Sequence, residues 1–286
     1  MKLWNAIALS FALLHAGLGA GQDPRWLPDL EYGRAGDVSL RLDACVPAGE
    51  GPFPVAVLIH GGGWGSGDKR ADFGELGKAL SDRGIAWLSI NYRLAPAHRW
   101  PACLEDVTTA IRWVRKHGRE HRCDPGRLAL VGYSAGGQLA ALAAIRTEGP
   151  QRVAAVVGLA PAVELVSDSR RRGEVSKALR DLLDLPAELD AAALAAIAAI
   201  SPAEELRGAL PPFLIVQGTA DRSVTHEDAV VFAQRLTEAG GECRVLGIEG
   251  APHRIAEWPD FDPDYARKAA AWLAERLGKN PPDPHP

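Results

Sequence analysis

The sequence is poor in the features that mark nucleic-acid-binding and metal-dependent proteins. Its 32 basic residues are outnumbered by 36 acidic ones and are scattered rather than clustered, so we expect no basic surface for a nucleic acid. The four cysteines show no Cys-x-x-Cys spacing, and His117 and His121 fall in a charged helix end where we expect solvated side chains. We therefore predict neither a metal ion nor another cofactor. Internal repeats are absent too, and 286 residues suit one globular domain.

The one apolar segment that approaches membrane-spanning length lies at the N-terminus. Lys2 precedes a mostly apolar stretch over residues 3–18 that ends in the small residues AGLGAG. This is the pattern of a signal peptide, and we predict its removal after Gly21. A membrane anchor is the alternative, but polar residues interrupt a run that is already short for a span. We predict a secreted or periplasmic protein with no membrane contact after removal of residues 1–21, and one domain over 22–278.

Export makes disulfides chemically possible, and the four cysteines permit three full pairings whose spacings favour none. Cys103 and Cys123 flank a predicted helix that would hold them about 24 Å apart, far beyond bridging distance. We expect free, partly buried thiols.

From residue 38 onward, short β-rich apolar runs alternate with helical patterns. This predicts an α/β fold with a mostly parallel sheet covered by helices on both faces. VSLRLDACV alternates as an edge hairpin strand does, whereas the other runs are dense enough for strands buried on both faces. Those runs are FPVAVLIHGG, IAWLSINYRL, RLALVGYS, AAVVGLAPA, PPFLIVQGTAD and CRVLGIEG. The spacing predicts helices over 72–83, 101–118, 135–146, 226–239 and 263–277.

Residues 164–206 break this alternation, because they are rich in Ala, Leu and charge but contain no strand pattern. Insertions of this kind between two strands often roof a site, and a longer helical connection is the plain alternative. We predict a helical, cap-like insertion here. We expect the Pro-rich, charged residues 279–286 to form a disordered tail.

The stretch LALVGYSAGGQLAAL places one serine, Ser134, among small residues between a strand pattern and a helical one. Gly132 and Gly136 complete the motif G-x-S-x-G around it. A serine on such a strand-to-helix turn takes a strained conformation that projects its Oγ, and the helix N-terminus offers N–H groups to a developing negative charge. This context favours Ser134 as a nucleophile over a chance match in a glycine-rich chain.

A nucleophilic serine needs a base, and the base needs an acid that orients it. His253 follows the last predicted strand, on a loop of small residues that can bring an imidazole over the edge of the sheet. Asp221 ends the preceding strand, so its carboxylate can reach the far nitrogen of that imidazole. Rivals remain open at both positions: His98 and His226 for the base, Asp228 and Glu249 for the acid.

A second glycine-rich turn, IHGGGWGSGDKR, follows a buried strand. Acyl transfer builds negative charge on a carbonyl oxygen, and the loss of one preorganised donor costs about 2.7–4 kcal/mol of transition-state stabilisation. Glycines let backbone N–H groups point inward without a Cβ in the way. We assign the oxyanion donors to Gly62, Gly63 and Ala135.

Taken together, these residues resemble the esterase and lipase branch of the α/β-hydrolase superfamily, which carries H-G-G-G-[FW] before G-x-S-A-G-G. The resemblance runs from about Val38 to Leu277 and implies an eight-stranded sheet and a triad of Ser134, Asp221 and His253 in that chain order. NYRLAPAHRWPACLEDV is similar to hormone-sensitive-lipase-like carboxylesterases, whereas HGGGWGSGDKR and the ending GTADRSV…EGAPH are more similar to bacterial feruloyl and acetylxylan esterases. APHRIAEW replaces the hydrophobic-His-Gly-Phe ending of the former group, which favours the polysaccharide esterases.

The resemblance implies a serine carboxylesterase that acts through an acyl-enzyme on small acyl esters or on acetyl or feruloyl esters of plant polysaccharide. A prolyl-oligopeptidase-like peptidase or a formamidase would use the same machinery on another bond. A catalytically silent binding protein on this fold is the third alternative. No stretch of the sequence indicates an oligomeric state.

Supporting residues are suggested by their positions near motif ends. Trp64, Trp100 and Trp258 are candidate substrate contacts, with core packing as the alternative. Arg93 and Asp106 form an opposite-charge pair that could fix the loop between them, or a solvated surface pair.

Overall fold

The central strands of the sheet are buried on both faces. Val55 and Ile59 of one strand belong to the core on one side, and Ala56 and Leu58 of the same strand belong to the core on the other. This is the packing that a dense apolar run adopts between two helical layers. The structure is a computed structural model that describes residues 23–278. The predicted signal peptide and the predicted C-terminal tail lie outside the described residues.

Eight strands form a single sheet. They are β1 (Arg25–Ala35), β2 (Val38–Val46), β3 (Phe53–Ile59), β4 (Ala86–Ile90), β5 (Cys123–Tyr133), β6 (Ala155–Leu159), β7 (Phe213–Gly218) and β8 (Cys243–Ile248). The strand order is β1-β2-β4-β3-β5-β6-β7-β8, with β2 antiparallel to both its neighbours and all other pairs parallel. The predicted fold class, a mostly parallel eight-stranded α/β-hydrolase sheet, is therefore confirmed.

Eight helices cover the sheet within the described residues. They are α1 (Gly74–Asp82), α2 (Ala102–His117), α3 (Ala135–Arg146), α4 (Leu165–Arg172), α5 (Lys177–Leu183), α6 (Ala191–Ala198), α7 (His226–Glu238) and α8 (Tyr265–Gly278). Helices α1 and α8 bury their apolar residues on one face, and α2, α3 and α7 bury theirs on the other. None of these helices, all within residues 23–278, is both long and apolar enough to cross a membrane.

Residues 164–206, the cap insertion, lie between β6 and β7 and contain α4, α5 and α6 without a strand. The side chains of Ser176 and Asp190 accept hydrogen bonds from the first turns of α5 and α6, which explains where these two short helices begin. Leu179 and Ile197 are buried in the same core as α3. The cap insertion is therefore packed against the helical layer that carries Ser134.

Both ends of the cap insertion meet one arginine. Arg235 of α7 donates from Nη1 to the carboxylate of Glu164 at 3.3 and 3.2 Å, and from the same nitrogen to Glu204 at 3.1 Å. Burial raises the pKa of Glu164, although the charge of Arg235 opposes the shift. The entry and the exit of the insertion are thus held side by side on α7.

The four cysteines are free thiols, as expected from their spacing. Cys103 and Cys123 are buried, and Cys45 and Cys243 are half-buried. Burial raises the pKa of Cys103, Cys123 and Cys243 to about 12, so these three groups stay protonated near neutral pH.

Candidate active site

Ser134 lies on the turn between the end of β5 and the start of α3, with a φ of 51°. That left-handed conformation is strained for a residue with a Cβ, and it raises the side chain above the sheet. The chain packs so closely here that a Cβ on Gly132 would lie 2.1 Å from the carbonyl oxygen of Gly136. A Cβ on Gly136 would lie 2.1 Å from that of Ile59. The two glycines of the motif are therefore required by packing.

The structure brings Ser134, His253 and Asp221 together in one hydrogen-bonded chain. Nε2 of His253 lies 3.1 Å from Oγ of Ser134, and Nδ1 lies 2.7 Å from Oδ2 of Asp221. An ionised carboxylate only accepts hydrogen bonds, so Nδ1 carries the proton and Nε2 is left to accept from the serine hydroxyl. The rival acid Asp228 instead forms two hydrogen bonds with Arg171 of the cap insertion.

Asp221 is buried, but both oxygens of its carboxylate accept hydrogen bonds. Its Oδ1 accepts from the backbone amides of Ser223 and Val224 at 2.8 and 3.0 Å, and its Oδ2 accepts from Nε2 of Gln217 at 2.9 Å. Burial acts to raise the pKa of Asp221, but the hydrogen bonds from His253 and from the two amides outweigh it, and the pKa is lowered. The carboxylate is therefore ionised where it orients the imidazole.

The loop that carries His253 is fixed from below. The hydroxyl of Tyr133 donates to the carbonyl of His253 at 2.9 Å, and the two rings stack with centroids 5.4 Å apart. Nε1 of Trp258 donates to the carbonyl of Pro252 at 2.8 Å, and the indole packs edge-on against Tyr265. Trp258 is 0% exposed, so the predicted substrate contact is wrong for this residue: it supports the histidine loop from within the core.

The other two tryptophans have different surroundings. Trp64 follows Gly63 and is among the residues that line a cavity beside Ser134, but its side chain is 4% exposed and packs in the core. Trp100 lies over the guanidinium of Arg146 at 5.8 Å from its ring centroid. Trp100 lines neither of the cavities that contain Ser134. The structure does not bring Trp100 to the site.

The predicted oxyanion donors surround the same serine. Gly62 and Gly63 have φ values of 110° and 57°, and a Cβ on Gly62 would lie 2.2 Å from the carbonyl oxygen of Ser66. Gly63 and Ala135 line a cavity with Ser134, and Ala135 is the first residue of α3. Within residues 23–278, the backbone amides of Gly62, Gly63 and Ala135 donate no hydrogen bond. They are available to a ligand atom.

Buried polar contacts hold the glycine-rich loop against the sheet. Nζ of Lys69 lies 2.5 Å from Oδ1 of Asp43 on β2, and both side chains are nearly inaccessible. The ring of His60 stacks on Tyr92 at 4.3 Å. Burial lowers the pKa of His60, so the imidazole is neutral near neutral pH. The loop is therefore anchored on both sides of its glycines.

Arg93 and Asp106 form the predicted pair and fix the loop between β4 and α2. Nε and Nη2 of Arg93 donate to the carboxylate at 3.0 and 2.8 Å, and the backbone amide of Arg93 donates to it at 2.8 Å. Asp106 is 1% exposed. Hydrogen bonding to Asp106 raises the pKa of Arg93, so this is a buried ion pair rather than a solvated one.

Sequence reasoning missed Gln138. This fully buried side chain accepts from Nε1 of Trp64 at 2.9 Å and donates to the carbonyl of Ile200 at 2.7 Å. The available signal was a lone amide side chain in the apolar helix AGGQLAALAAI, one turn after Ser134. Gln138 joins the glycine-rich loop to the exit of the cap insertion.

Two cavities meet at Ser134 and His253. The larger, about 320 Å³, is lined mainly by the glycine-rich loop and has Asp72 and Tyr133 at its wall. The smaller, about 140 Å³, lies under the cap insertion and is mostly apolar. Its lining includes Trp64, Ala162, Leu165, Ala178, Leu179 and Val224.

His117 and His121 were expected to be solvated, and the structure leaves both only partly exposed. Both rings lie against Trp113, with centroids 5.8 and 5.2 Å away, and both side chains are half-buried.

No group of three or more His, Cys, Asp or Glu side chains is placed to hold a metal ion in the part of the chain that the structure describes.

A sheet of this order with this serine turn and hydrogen-bonded His–Asp pair defines an α/β-hydrolase. The model of the BD-FAE family matches residues 42–236, more than half of the sequence, and the chain belongs to that family. LipM of Mycobacterium tuberculosis, a probable carboxylic ester hydrolase, is 31% identical over 73% of this chain and 50% of its own length. The chain spans about half the length of this and another curated relative that it matches.

Solved structures share the fold over almost the whole described chain. A truncated carbohydrate esterase from gut microbiota superposes with a TM-score of 0.79 and 23% identity, covering 91% of this chain and 99% of that one. At this identity the likeness shows a shared fold alone. The thermophilic esterase Est2 of Thermogutta terrifontis, solved with propionate bound, superposes with a TM-score of 0.71 and 27% identity. The match covers 92% of this chain and 97% of that one.

Proposed function

We propose that this protein is a serine carboxylesterase that hydrolyses short acyl esters through an acyl-enzyme on Ser134. The observation that carries the proposal is the hydrogen-bonded chain from Oγ of Ser134 through His253 to Asp221. Free backbone amides on two sides of the serine support it, because acyl transfer needs donors where a carbonyl oxygen becomes negative. The carboxylesterase names of the relatives agree with this activity.

The geometry indicates the following reaction. Oγ of Ser134 attacks the ester carbonyl while Nε2 of His253 takes its proton, and Asp221 stabilises the imidazolium that forms. The amides of Gly62, Gly63 and Ala135 hold the negative oxygen of the tetrahedral intermediate. His253 then returns the proton to the leaving alcohol, which frees it and leaves Ser134 acylated. A water molecule, deprotonated by His253, repeats the sequence and releases the acid.

The size of the smaller cavity supports a short acyl group. Its volume of about 140 Å³ has room for about four or five water-sized groups, which fits acetyl to butyryl chains. A feruloyl group, with its methoxylated aromatic ring, is larger than that space and would extend beyond it. Among the polysaccharide substrates suggested by the sequence, the structure therefore favours acetyl esters. The propionate bound by the Thermogutta esterase is of matching size.

We also propose that the protein is exported. The support is the pattern of the first 21 residues, in which a basic residue precedes an apolar stretch and a small-residue end. Cell fractionation with N-terminal sequencing of the protein tests this, and a chain retained in the cytoplasm with its first residues intact contradicts it.

The function is tested by hydrolysis of a substrate panel by the purified protein, by Ser134→Ala and by the control Ser167→Ala. Ser167 is exposed on α4 and lines neither cavity. The panel contains p-nitrophenyl acetate, p-nitrophenyl octanoate, methyl ferulate, acetylated xylan and an aminoacyl-p-nitroanilide. We expect turnover of the acetates, lost in Ser134→Ala and kept in Ser167→Ala. Turnover of the anilide alone would make the protein a peptidase, and turnover that survives Ser134→Ala would contradict the nucleophile.

A further inference from the structure

We infer that Asp72 recognises the alcohol part of the ester by accepting a hydrogen bond from a free hydroxyl beside the ester oxygen, as polyols and sugars present. The inference rests on the proposed esterase function and names a residue that determines its specificity. Asp72 lies in the loop that follows the oxyanion glycines and lines the larger cavity together with Ser134 and His253. Asp72 therefore lies at the wall of the space that the reacting ester enters.

One carboxylate oxygen of Asp72 is engaged and the other is not. Oδ2 accepts from the backbone amide of Gly61 at 3.0 Å, which holds the side chain against the glycine-rich loop. Among residues 23–278, Oδ1 has no hydrogen-bond donor. A carboxylate has about four acceptor positions, so Asp72, a lining residue of the cavity, keeps strong acceptor capacity.

The backbone at Asp72 is strained. Its φ is 71°, and the amide of Phe73 donates to the carbonyl of Ala71 at 2.9 Å, so Asp72 is the central residue of a three-residue turn of the unfavourable hand. Residues in such conformations cluster at functional sites, where the surrounding structure maintains them. The turn places a carboxylate, rather than a glycine, at the wall of the cavity.

The rest of the cavity suits a hydroxylated group. Its lining is mostly glycine and Ala71, which offers space and backbone polar atoms but little apolar side chain. Its volume of about 320 Å³ has room for about ten water-sized groups, close to one sugar ring. Aromatic cages recognise quaternary ammonium groups, whereas the described residues that line this space include one tyrosine, Tyr133, and no phenylalanine or tryptophan.

The two cavities then divide the ester between them. The smaller space under the cap insertion takes the short acyl chain, and the larger, glycine-lined space that holds Asp72 takes the alcohol. A hydroxyl on that alcohol donates to Oδ1 of Asp72 while its ester oxygen lies against His253, which must protonate it. Hydrogen bonds to charged groups are stronger than neutral ones, so the preference is expected to be at least about tenfold in kcat/KM.

The test compares 2-hydroxyethyl acetate with 2-methoxyethyl acetate, which has the same oxygens but no donor. We expect the unmutated protein to prefer the hydroxyl ester at least about tenfold in kcat/KM, and Asp72→Asn to lose that preference. The matched control is Asp68→Asn, since Asp68 is exposed on the same loop and does not line the cavity. It should keep the preference. The comparison in the unmutated protein tests the inference even if Asp72→Asn fails to fold.

Equal rates on the two esters, or a preference that persists in Asp72→Asn, would overturn the inference while leaving the esterase function intact. Acetylcholine is the third substrate, and a loss in Asp72→Asn that is largest for this ester would show a cation site instead. No turnover of any ester by the unmutated protein would overturn the proposed function, and this inference with it.

Discussion

The indole N–H of Trp64 donates to Oε1 of Gln138, and the amide N–H of the same glutamine donates to the carbonyl of Ile200. Trp64 belongs to the glycine-rich loop, and Ile200 lies near the exit of the cap insertion. An indole offers only a donor and a carbonyl only an acceptor, so the orientation of the amide is fixed. All three residues are buried, which excludes water as a substitute partner.

Replacing Gln138 by Leu should lower both stability and turnover. The two buried partners would be left unpaired, at about 1–3 kcal/mol of unfolding free energy each. The released Trp64 would let the adjacent Gly63 amide move, and we expect kcat to fall by about tenfold to a hundredfold with little change in KM. Gln138→Glu keeps the acceptor for Trp64 and loses the donor to Ile200. Its kcat should therefore lie between that of the unmutated protein and that of Gln138→Leu. An unchanged kcat in Gln138→Leu would show that this link does not position the oxyanion hole.

The lowered pKa of Asp221 makes stability depend on pH in a defined direction. A carboxyl whose pKa is lower in the folded than in the unfolded chain stabilises the fold above its unfolded value, here near 3.8, and loses that contribution as the pH falls through the folded pKa. The destabilisation caused by Asp221→Asn, measured by urea unfolding, should therefore be complete at about pH 6 and shrink below about pH 4. A constant difference over that interval would contradict the ionised state.

Shortening Leu179 should change which acyl chains the protein accepts. Leu179 is a buried residue of α5 that lines the smaller cavity, where we propose that the acyl chain binds. Leu179→Ala enlarges the space, and each extra methylene accommodated contributes about 1–3 kcal/mol. We expect the ratio of kcat/KM for p-nitrophenyl octanoate over acetate to rise by about tenfold or more. The control is Leu183→Ala, on the same helix but outside the lining. The same rise in both variants would mean that the cap insertion loosens rather than that the cavity grows.

Stability should depend on the buried pair of Arg93 and Asp106. Asp106→Ala leaves the guanidinium without its main partner, and breaking a buried pair costs about 3–5 kcal/mol. The control is Asp82→Ala, which removes the exposed partner of Lys78 on α1 and should leave the unfolding free energy nearly unchanged. Chemical unfolding of both variants measures the two losses of unfolding free energy. A loss in Asp106→Ala as small as that in Asp82→Ala would show that Glu105, the other acidic neighbour of Arg93, compensates the charge.

The nucleophile turn was predictable from sequence because its signals are local. Gly132, Ser134 and Gly136 are adjacent in the chain and stand where a strand pattern meets a helical one. His253 and Asp221 were predictable for a different reason. Each follows a strand, and the carboxyl ends of neighbouring parallel strands meet at one edge of the sheet. Strand β1 escaped notice because Pro28 and two irregularities in its register break the alternation.

Other parts of the site depend on contacts between distant segments. Gln138 and Ile200 are 62 residues apart, and no periodicity relates them. Trp258 stands near a motif end, as a substrate contact would, but the fold turns its indole inward beneath the histidine loop. Asp72 reaches Gly61 only through a strained turn that its sequence neighbourhood does not indicate. Tertiary packing, rather than local pattern, decided all three positions.

The double contact of Arg235 with Glu164 and Glu204 gives the cap insertion an evolutionary consequence. Because the insertion leaves and rejoins the sheet at one anchored point, those parts of it that bury no core residue can change in length without altering the spacing of β6 and β7. The entropy of closing a loop grows slowly with its length, so such replacements cost little stability. The solvent-facing turns of the cap insertion can thus vary while its anchored ends and buried residues keep the site in place.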